Sequence, residues 1–168
     1  MTEIRAATPG DVAAIRRVHT AAFGRAAEAE LALALAAREP ACISLVASQS
    51  GALVGHVLFS PVAVDGHAFA IAPLGLGPLA VAPELQRGGV GSALARAGID
   101  ACRKAGAPFV VVLGHPPYYP RFGFAPAARF GLTFADAPPR DAFMALELVP
   151  GALAGVRGAV RYAPEFGS

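Results

Sequence analysis

Cysteine, charge and long apolar runs are what this chain has least of, and each shortage removes a class of function. The two cysteines, Cys42 and Cys102, lie far apart with no C-x-x-C pattern. The histidines, His19, His56, His67 and His115, fall in different expected elements without ligand spacing, so neither a redox pair nor a metal site is indicated. Only 15% of the residues are charged, the net charge is +2, and the basic residues are scattered, which is not the footprint of a nucleic-acid binder. Hydrophobic residues make up 55%, much of it alanine, but the most apolar stretch, Phe69 to Pro83, is broken by Pro73, Gly75, Gly77 and Pro78. No run reaches the ~18 residues that a spanning helix needs. Met1-Thr2-Glu3-Ile4-Arg5 lacks the basic region and apolar core of a secretory signal, so a cytoplasmic location without membrane attachment is expected. There is no G-x-S-x-G elbow of a serine hydrolase.

What is present alternates between strand and helix patterns without an internal repeat. Thr2 to Ala6 reads as a first strand, and Thr8-Pro9-Gly10-Asp11 supplies an N-cap, an N1 proline and an early acid for a helix to about Phe23, ended by Gly24. Val12, Ile15, Val18 and Ala22 form its expected inner stripe. A second helix is expected from about Ala27 to Arg38, then strands at Ile43 to Ala47 and Leu53 to Val64. The Asp65-Gly66 dipeptide predicts a hairpin into a strand at Ala68 to Ala72. Leu76 to Val81 reads as a strand in which Pro78 predicts a bulge or a break in the ladder. A helix follows from about Gly89 to Ala105 with Val90, Leu94, Ala97 and Ala101 inward, then strands at Phe109 to Leu113 and Phe143 to Val149. At 168 residues the chain is expected to be one domain, with about 150–168 as a C-terminal extension. The fold class is α/β (α+β): three layers, with a mixed, mostly antiparallel sheet flanked by helices.

The most informative segment is Gln86-Arg87-Gly88-Gly89-Val90-Gly91-Ser92, entered from the apolar Leu79-Ala80-Val81-Ala82-Pro83. A strand delivers the chain into a turn where glycines can take positive φ, and the next helix begins with amide N–H groups that have no carbonyl partner inside it. Those donors and the positive end of the helix dipole suit a pyrophosphate. The dinucleotide pattern G-x-G-x-x-G fails, because Leu94 stands where its third glycine would fall after Gly89 and Gly91. The phosphate-loop pattern G-x-x-x-x-G-K-[ST] fails too, since no lysine follows these glycines before Lys104.

The remaining pattern, Q/R-x-x-G-x-G/A at Gln86, Gly89 and Gly91, resembles the coenzyme A motif of the Gcn5-related N-acetyltransferase (GNAT) superfamily. A second match follows the Phe109–Leu113 strand: Tyr119-Pro120-Arg121-Phe122-Gly123-Phe124 resembles that superfamily's Y-x-x-x-G-F segment. The whole stretch from Gly114 to Phe124, with the ending Gly158-Ala159-Val160-Arg161-Tyr162, resembles the YhbS-like bacterial subgroup. The chain departs from the commoner pattern in lacking an asparagine before the tyrosine. The resemblance implies acetyl-CoA as co-substrate. Backbone groups of Leu79, Ala80 and Val81 would pair with the pantetheine arm, and Gln86, Arg87, Gly88, Gly89, Val90, Gly91 and Ser92 would hold the diphosphate through main-chain amides. It also implies Tyr119 as general acid beside the thioester.

Transfer to an amine requires a neutral nucleophile, a polarised carbonyl and a protonated leaving thiolate. The Val81 N–H is the expected oxyanion donor. Tyr119, with a reference pKa near ~10, can donate to a thiolate whose parent thiol lies near ~8.5. An amine with a pKa of about 10.4 is almost wholly protonated at neutral pH, so something must take its proton. Glu28, His56 and Glu84 are the candidates, with ordered water as a further one. The implied activity is an N-acetyltransferase acting on a primary amine of a small molecule or peptide by direct attack in a ternary complex. A catalytically silent acyl-CoA-binding regulatory domain and an O-acyl or longer-acyl transferase are the alternatives. The resemblance implies an acceptor pocket around Arg25 to Glu30 and Ala135 to Ala142, the second of which carries both charge signs and so does not select an acceptor, and a homodimer is allowed.

Overall fold

Residues 1–135 and 140–166 are described by the computed structural model, and they fall into two units: Met1–Ser60 with Gly77–Ala101 and the end from Pro164, and Pro61–Leu76 with Cys102–Ala163. In chain order the elements are β1 (Thr2–Ala6), α1 (Val12–Phe23), α2 (Ala27–Arg38), β2 (Ile43–Gln49), β3 (Ala52–Pro61), β4 (Ala63–Val64), β5 (Leu74–Val81), α3 (Val90–Lys104), β6 (Phe109–Leu113), β7 (Ala125–Pro126), β8 (Leu132–Phe134), β9 (Phe143–Glu147) and β10 (Gly158–Arg161). Antiparallel pairings outnumber the parallel ones, β5–β6 and β10–β8. Among the described residues no helix is long and apolar enough to cross a membrane.

In the first unit β2 pairs antiparallel with β1 and β3. Ser50 and Gly51 form the β2–β3 turn with φ of 50° and 79°, a connection whose twist matches the strands it joins. Asp11 anchors the entry to α1. Its carboxylate accepts from the Thr8 amide at 2.8 Å and takes both ends of the Arg5 guanidinium at 2.7 and 2.9 Å, and Arg5 first, then Thr8, holds it well below the ordinary carboxylate range. Gly24 closes α1 in the left-handed conformation at φ 72°, a position that suits glycine.

β3 carries a helix on each face. On one side Gly55 and Phe59 meet α3: a Cβ at Gly55 would stand 2.9 Å from Leu94 Cδ1, and a Cβ at Gly98 would stand 2.0 Å from Phe59 Cε1. On the other, His56 Nδ1 lies 2.8 Å from His19 Nε2 of α1, and His56 Nε2 lies 2.8 Å from Ser44 Oγ of β2. Both imidazoles are buried, and the His19 Nδ1 has no hydrogen-bond partner among the described residues. Burial pushes His19 down to about 4, against a smaller opposing pull from Glu28. Burial and the His19 charge push His56 down to about 3, with Asp11 opposing.

In the second unit β5 pairs parallel with β6 from Leu74↔Val110 to Leu76↔Val112, and β9 lies between β6 and β7. A smaller sheet has the order β4-β10-β8. Val62, Val64, Phe109, Val111, Leu132 and Val160 form its shared core with Leu153 and Val156. Close approach recurs here: a Cβ at Gly75 would lie 2.7 Å from the Tyr162 ring.

Several expectations need correction. Asp65-Gly66 does turn, with Gly66 at φ 81° and the His67 amide on the Val64 carbonyl at 3.1 Å, but no strand forms over Ala68 to Ala72. The partner of β4 is instead β10, Val160 facing Val64, with Arg161 bridging to Asp65 at 2.9 Å. The stretch beyond residue 150 thus supplies a strand and core side chains. On α1, Val12 points outward at 39% exposure and His19 takes a place in the inner stripe. On α3, Val90 and Leu94 are buried as expected, whereas Ala97 and Ala101 are only half-buried and Ala95, Ile99 and Cys102 are buried instead.

Two outcomes follow for stability. Gly98→Ala gains up to about 1 kcal/mol of helix propensity. Overpacking against Phe59 costs about 1–3 kcal/mol or more, and a 2.0 Å contact lies at its severe end, so urea unfolding should show net destabilisation. The histidine pair sets an acid limit. Unfolded imidazoles protonate near 6.5 while the native ones stay neutral to about 4 and 3, so the unfolded state binds more protons and stability falls as pH drops from 6.5 toward 4. Thermal melts between pH 7.5 and 5 should show this slope, and His19→Gln, whose amide can still meet His56, should flatten it.

Candidate active site

The first unit builds a glycine-rich turn where β5 meets α3. β5 has β3 on one side, and the Ala82 amide donates to the Val54 carbonyl at 2.8 Å just past its end. Its pairing with β6 stops at Leu76, immediately before Gly77 (φ 141°) and Pro78, so the ladder breaks where the proline predicted it. Main-chain groups of Pro78–Val81 on that edge have no strand partner among the described residues. Ala80 is buried, and Leu79 and Val81 are half-buried.

Beyond Val81 the chain makes a 3-10 turn over Pro83–Leu85. The Gln86 side-chain amide donates back to the Val81 carbonyl at 3.1 Å, so the glutamine of the motif staples the turn to the strand end. Left-handed backbone occurs at Arg87 (φ 66°) and Gly89 (φ 94°). Alternation between left- and right-handed residues directs successive N–H groups into one concavity. Gly88 has a different reason to be glycine: a Cβ there would approach the Leu85 carbonyl oxygen to 3.2 Å. Backbone angle therefore matters at Gly89, and closeness at Gly88. α3 starts at Val90, and the Ala93 amide is the one that reaches the Gly89 carbonyl at 3.0 Å, so the amides of Val90 and Gly91 precede the ladder. Arg87, Gly88 and Gly89 are exposed and Ser92 is half-buried.

The second unit seats Tyr119. A 3-10 turn, Tyr119–Phe122, closes at Gly123 with φ 100°. The Tyr119 ring is 7% exposed and packs edge-on against Tyr118 and Phe124, at centroid distances of 5.0 and 5.8 Å. Burial, and then the neighbouring Tyr118, push its phenol up to about 12, so it is a proton donor throughout the neutral range. Tyr118 is turned nearly perpendicular to it, at 82°, and carries the Arg121 guanidinium 4.4 Å above its own ring.

The base candidates separate by environment. Glu28, in the first turn of α2, is clasped by Arg25 at 3.0 and 2.5 Å, which lowers its carboxyl and keeps it ionised. Glu84 is on the exposed turn. His56 is locked between His19 and Ser44, and an imidazole that protonates only near 3 is a poor proton acceptor. His19 escaped the sequence reading, although its place one turn after Ile15 and beside Val18 was the available signal. Of the expected acceptor pocket, Asp136–Pro139 lie outside the described residues.

Comparison with known proteins gives this geometry a family. Residues 3–127 match the model of the acetyltransferase (GNAT) domain. The uncharacterized N-acetyltransferase YhbS of Escherichia coli is 36% identical over 98% of this chain and 95% of its own length. The uncharacterized N-acetyltransferase YjhQ of the same species is 45% identical over 70% of this chain and 66% of its own length, just under two thirds. The crystal structure of YhbS in complex with CoA superimposes with a TM-score of 0.89 at 33% identity, covering 99% of this chain and 92% of that one. A GNAT family acetyltransferase from Brucella melitensis, crystallised with acetyl-CoA, gives 0.81 at 35% identity over 99% and 98% of the two chains. The chain belongs to the GNAT family of acyltransferases, whose co-substrate is acetyl-CoA.

Proposed function

We propose that the chain is an N-acetyltransferase moving the acetyl group of acetyl-CoA to a primary amine of a small molecule or peptide, by direct attack in a ternary complex. The observation that carries this is the turn from Arg87 to Ser92, with left-handed residues at 87 and 89 running into α3, the arrangement that directs peptide amides at a diphosphate. Acetyl-CoA supplies an activated acyl carbon on a leaving thiol. The main chain of Leu79, Ala80 and Val81 holds the pantetheine arm as an added strand, consistent with the strand edge open after Leu76, and the Val81 N–H supports the developing oxyanion.

As the amine nitrogen forms its bond to the acyl carbon, the carbon–sulfur bond breaks and the thiolate takes the phenolic proton of Tyr119. With its phenol held near 12, Tyr119 is fully protonated before the step, and the CoA thiol, near ~8.5, is the more acidic, so the finished thiolate is a weak pull on that proton. Tyr119 therefore acts chiefly as a hydrogen-bond donor that stabilises the thiolate as charge develops, and the phenolate left once the proton has passed takes a proton back from solvent. The amine's own proton passes to Glu28, which Arg25 keeps ionised, directly or through water. A CoA-binding protein without turnover is the competing reading, and thiol release separates the two.

Release of free thiol from acetyl-CoA across a panel of primary amines should identify a turned-over acceptor. Tyr119→Phe should lower kcat by about 10²-fold or more while calorimetric CoA affinity stays unchanged; full turnover in this variant would remove the acid assignment. Gly89→Ala meets no neighbour within 4 Å but must hold φ 94°, at a cost of about 1–2 kcal/mol, so CoA affinity should weaken by about tenfold. Unchanged affinity would show that the turn does not grip the diphosphate.

A further inference from the structure

We propose that Gly114 is a positioning residue for the Tyr119 phenol, a role that rests on the acid function proposed for Tyr119: the missing side chain at 114 is the space in which the ring sits. A Cβ built on Gly114 would lie 2.3 Å from Tyr119 Cε2, 2.9 Å from Cδ2 and 3.3 Å from Cζ, so the contact runs along the ring edge toward the hydroxyl-bearing carbon. Gly114 is outside the left-handed region, and any residue could adopt its backbone. Space for the ring, rather than backbone angle, is what requires glycine there.

Neither backbone can yield easily. Gly114 follows the last residue of β6, Leu113, which is in register with Phe143 of β9, and its own amide donates to the Ala142 carbonyl at 2.9 Å. Tyr119 is set by the turn that follows: the Tyr118 amide donates to the His115 carbonyl at 3.0 Å, the Arg121 Nε to the Tyr118 carbonyl at 3.0 Å, and the Gly123 amide to the Pro120 carbonyl at 3.0 Å. The ring is what must move. Its ring neighbours include Tyr118 at 5.0 Å, Phe124 at 5.8 Å and Phe122 at 6.2 Å, so a displaced ring gives up the close aromatic packing that buries it. A methyl group at 114 thus acts on the hydroxyl through the ring that carries it.

The test compares Gly114→Ala, Tyr119→Phe and the double variant. In thiol-release assays with small alkylamines and short lysine-bearing peptides, Gly114→Ala should lose about a hundredfold in kcat, the scale of a 1 Å misplacement. Acetyl-CoA affinity should hold, and the substitution should cost nothing further in the Tyr119→Phe background. Independently of any acceptor, tyrosinate absorbance should show Tyr119 ionising nearer the ordinary ~10 than the value of about 12 it has when buried, a change missing from Tyr119→Phe backgrounds. Wild-type ionisation together with wild-type turnover in Gly114→Ala would overturn the proposal. Full turnover by Tyr119→Phe would instead remove the acid role, leaving the titration to judge whether Gly114 seats the ring. If Gly114→Ala does not fold, Gly114→Ala combined with Tyr119→Ala decides: recovery of folding puts the clash on the ring, and continued failure overturns the proposal.

Discussion

The first unit depends on a main-chain constraint: peptide groups removed from water must be partnered, and a fold that leaves some of them open at one place must hold them there rigidly. Among the described residues, the open groups lie at the junction of β5 and α3, on the strand edge after Leu76 and at the Val90 and Gly91 amides that precede the α3 ladder. Around them the packing is unusually close. Gly55 and Gly98 let α3 lie against β3 with Leu94 and Phe59 in the gaps that side chains would otherwise fill. The Gln86 amide ties the turn to the end of the strand, and the Ala82 amide ties it to β3. Donors fixed in this way need little reorganisation when an anion arrives, which is the condition under which peptide dipoles are most effective.

The second unit follows a different rule. The Tyr119 phenol is kept neutral by burial and packed between aromatic edges, in a turn whose backbone bonds leave little freedom. Glycine serves here as well, at Gly114, but as volume withheld from a side chain. The same economy appears at Gly75, where the Tyr162 ring occupies the place of a Cβ. Ring edges pressed on glycine backbone thus set the position of two of the three tyrosines.

The buried histidine pair shows why a residue's type alone misleads. A histidine on a strand is attractive as a base by its ordinary pKa, yet in place His56 bonds His19 and both resist protonation, which suits them to holding α1 on β3. Glu28, with Arg25 beside it, keeps its charge.

Elements governed by local chemistry were legible in the sequence. The Thr8–Asp11 entry to α1, its glycine stop and the glycine-rich turn before α3 all depend on residues a few positions apart, and each formed within a residue or two of its expected place. The β4 partner could not be read: Asp65-Gly66 specifies a reversal, but not that Val64 will face Val160, because that choice is made by burial in a core assembled from distant segments. For the same reason Val12 lost its inner place to His19, the outcome depending on the helix rotation that β3 imposed. By itself, then, the order of residues determined where the chain turns and where its helices begin and end, since these are short-range consequences of φ preference and capping. Only the tertiary structure decided which strands pair, which imidazoles are silenced and which glycine makes room for the phenol, since those depend on the volume and solvent left by residues remote in sequence.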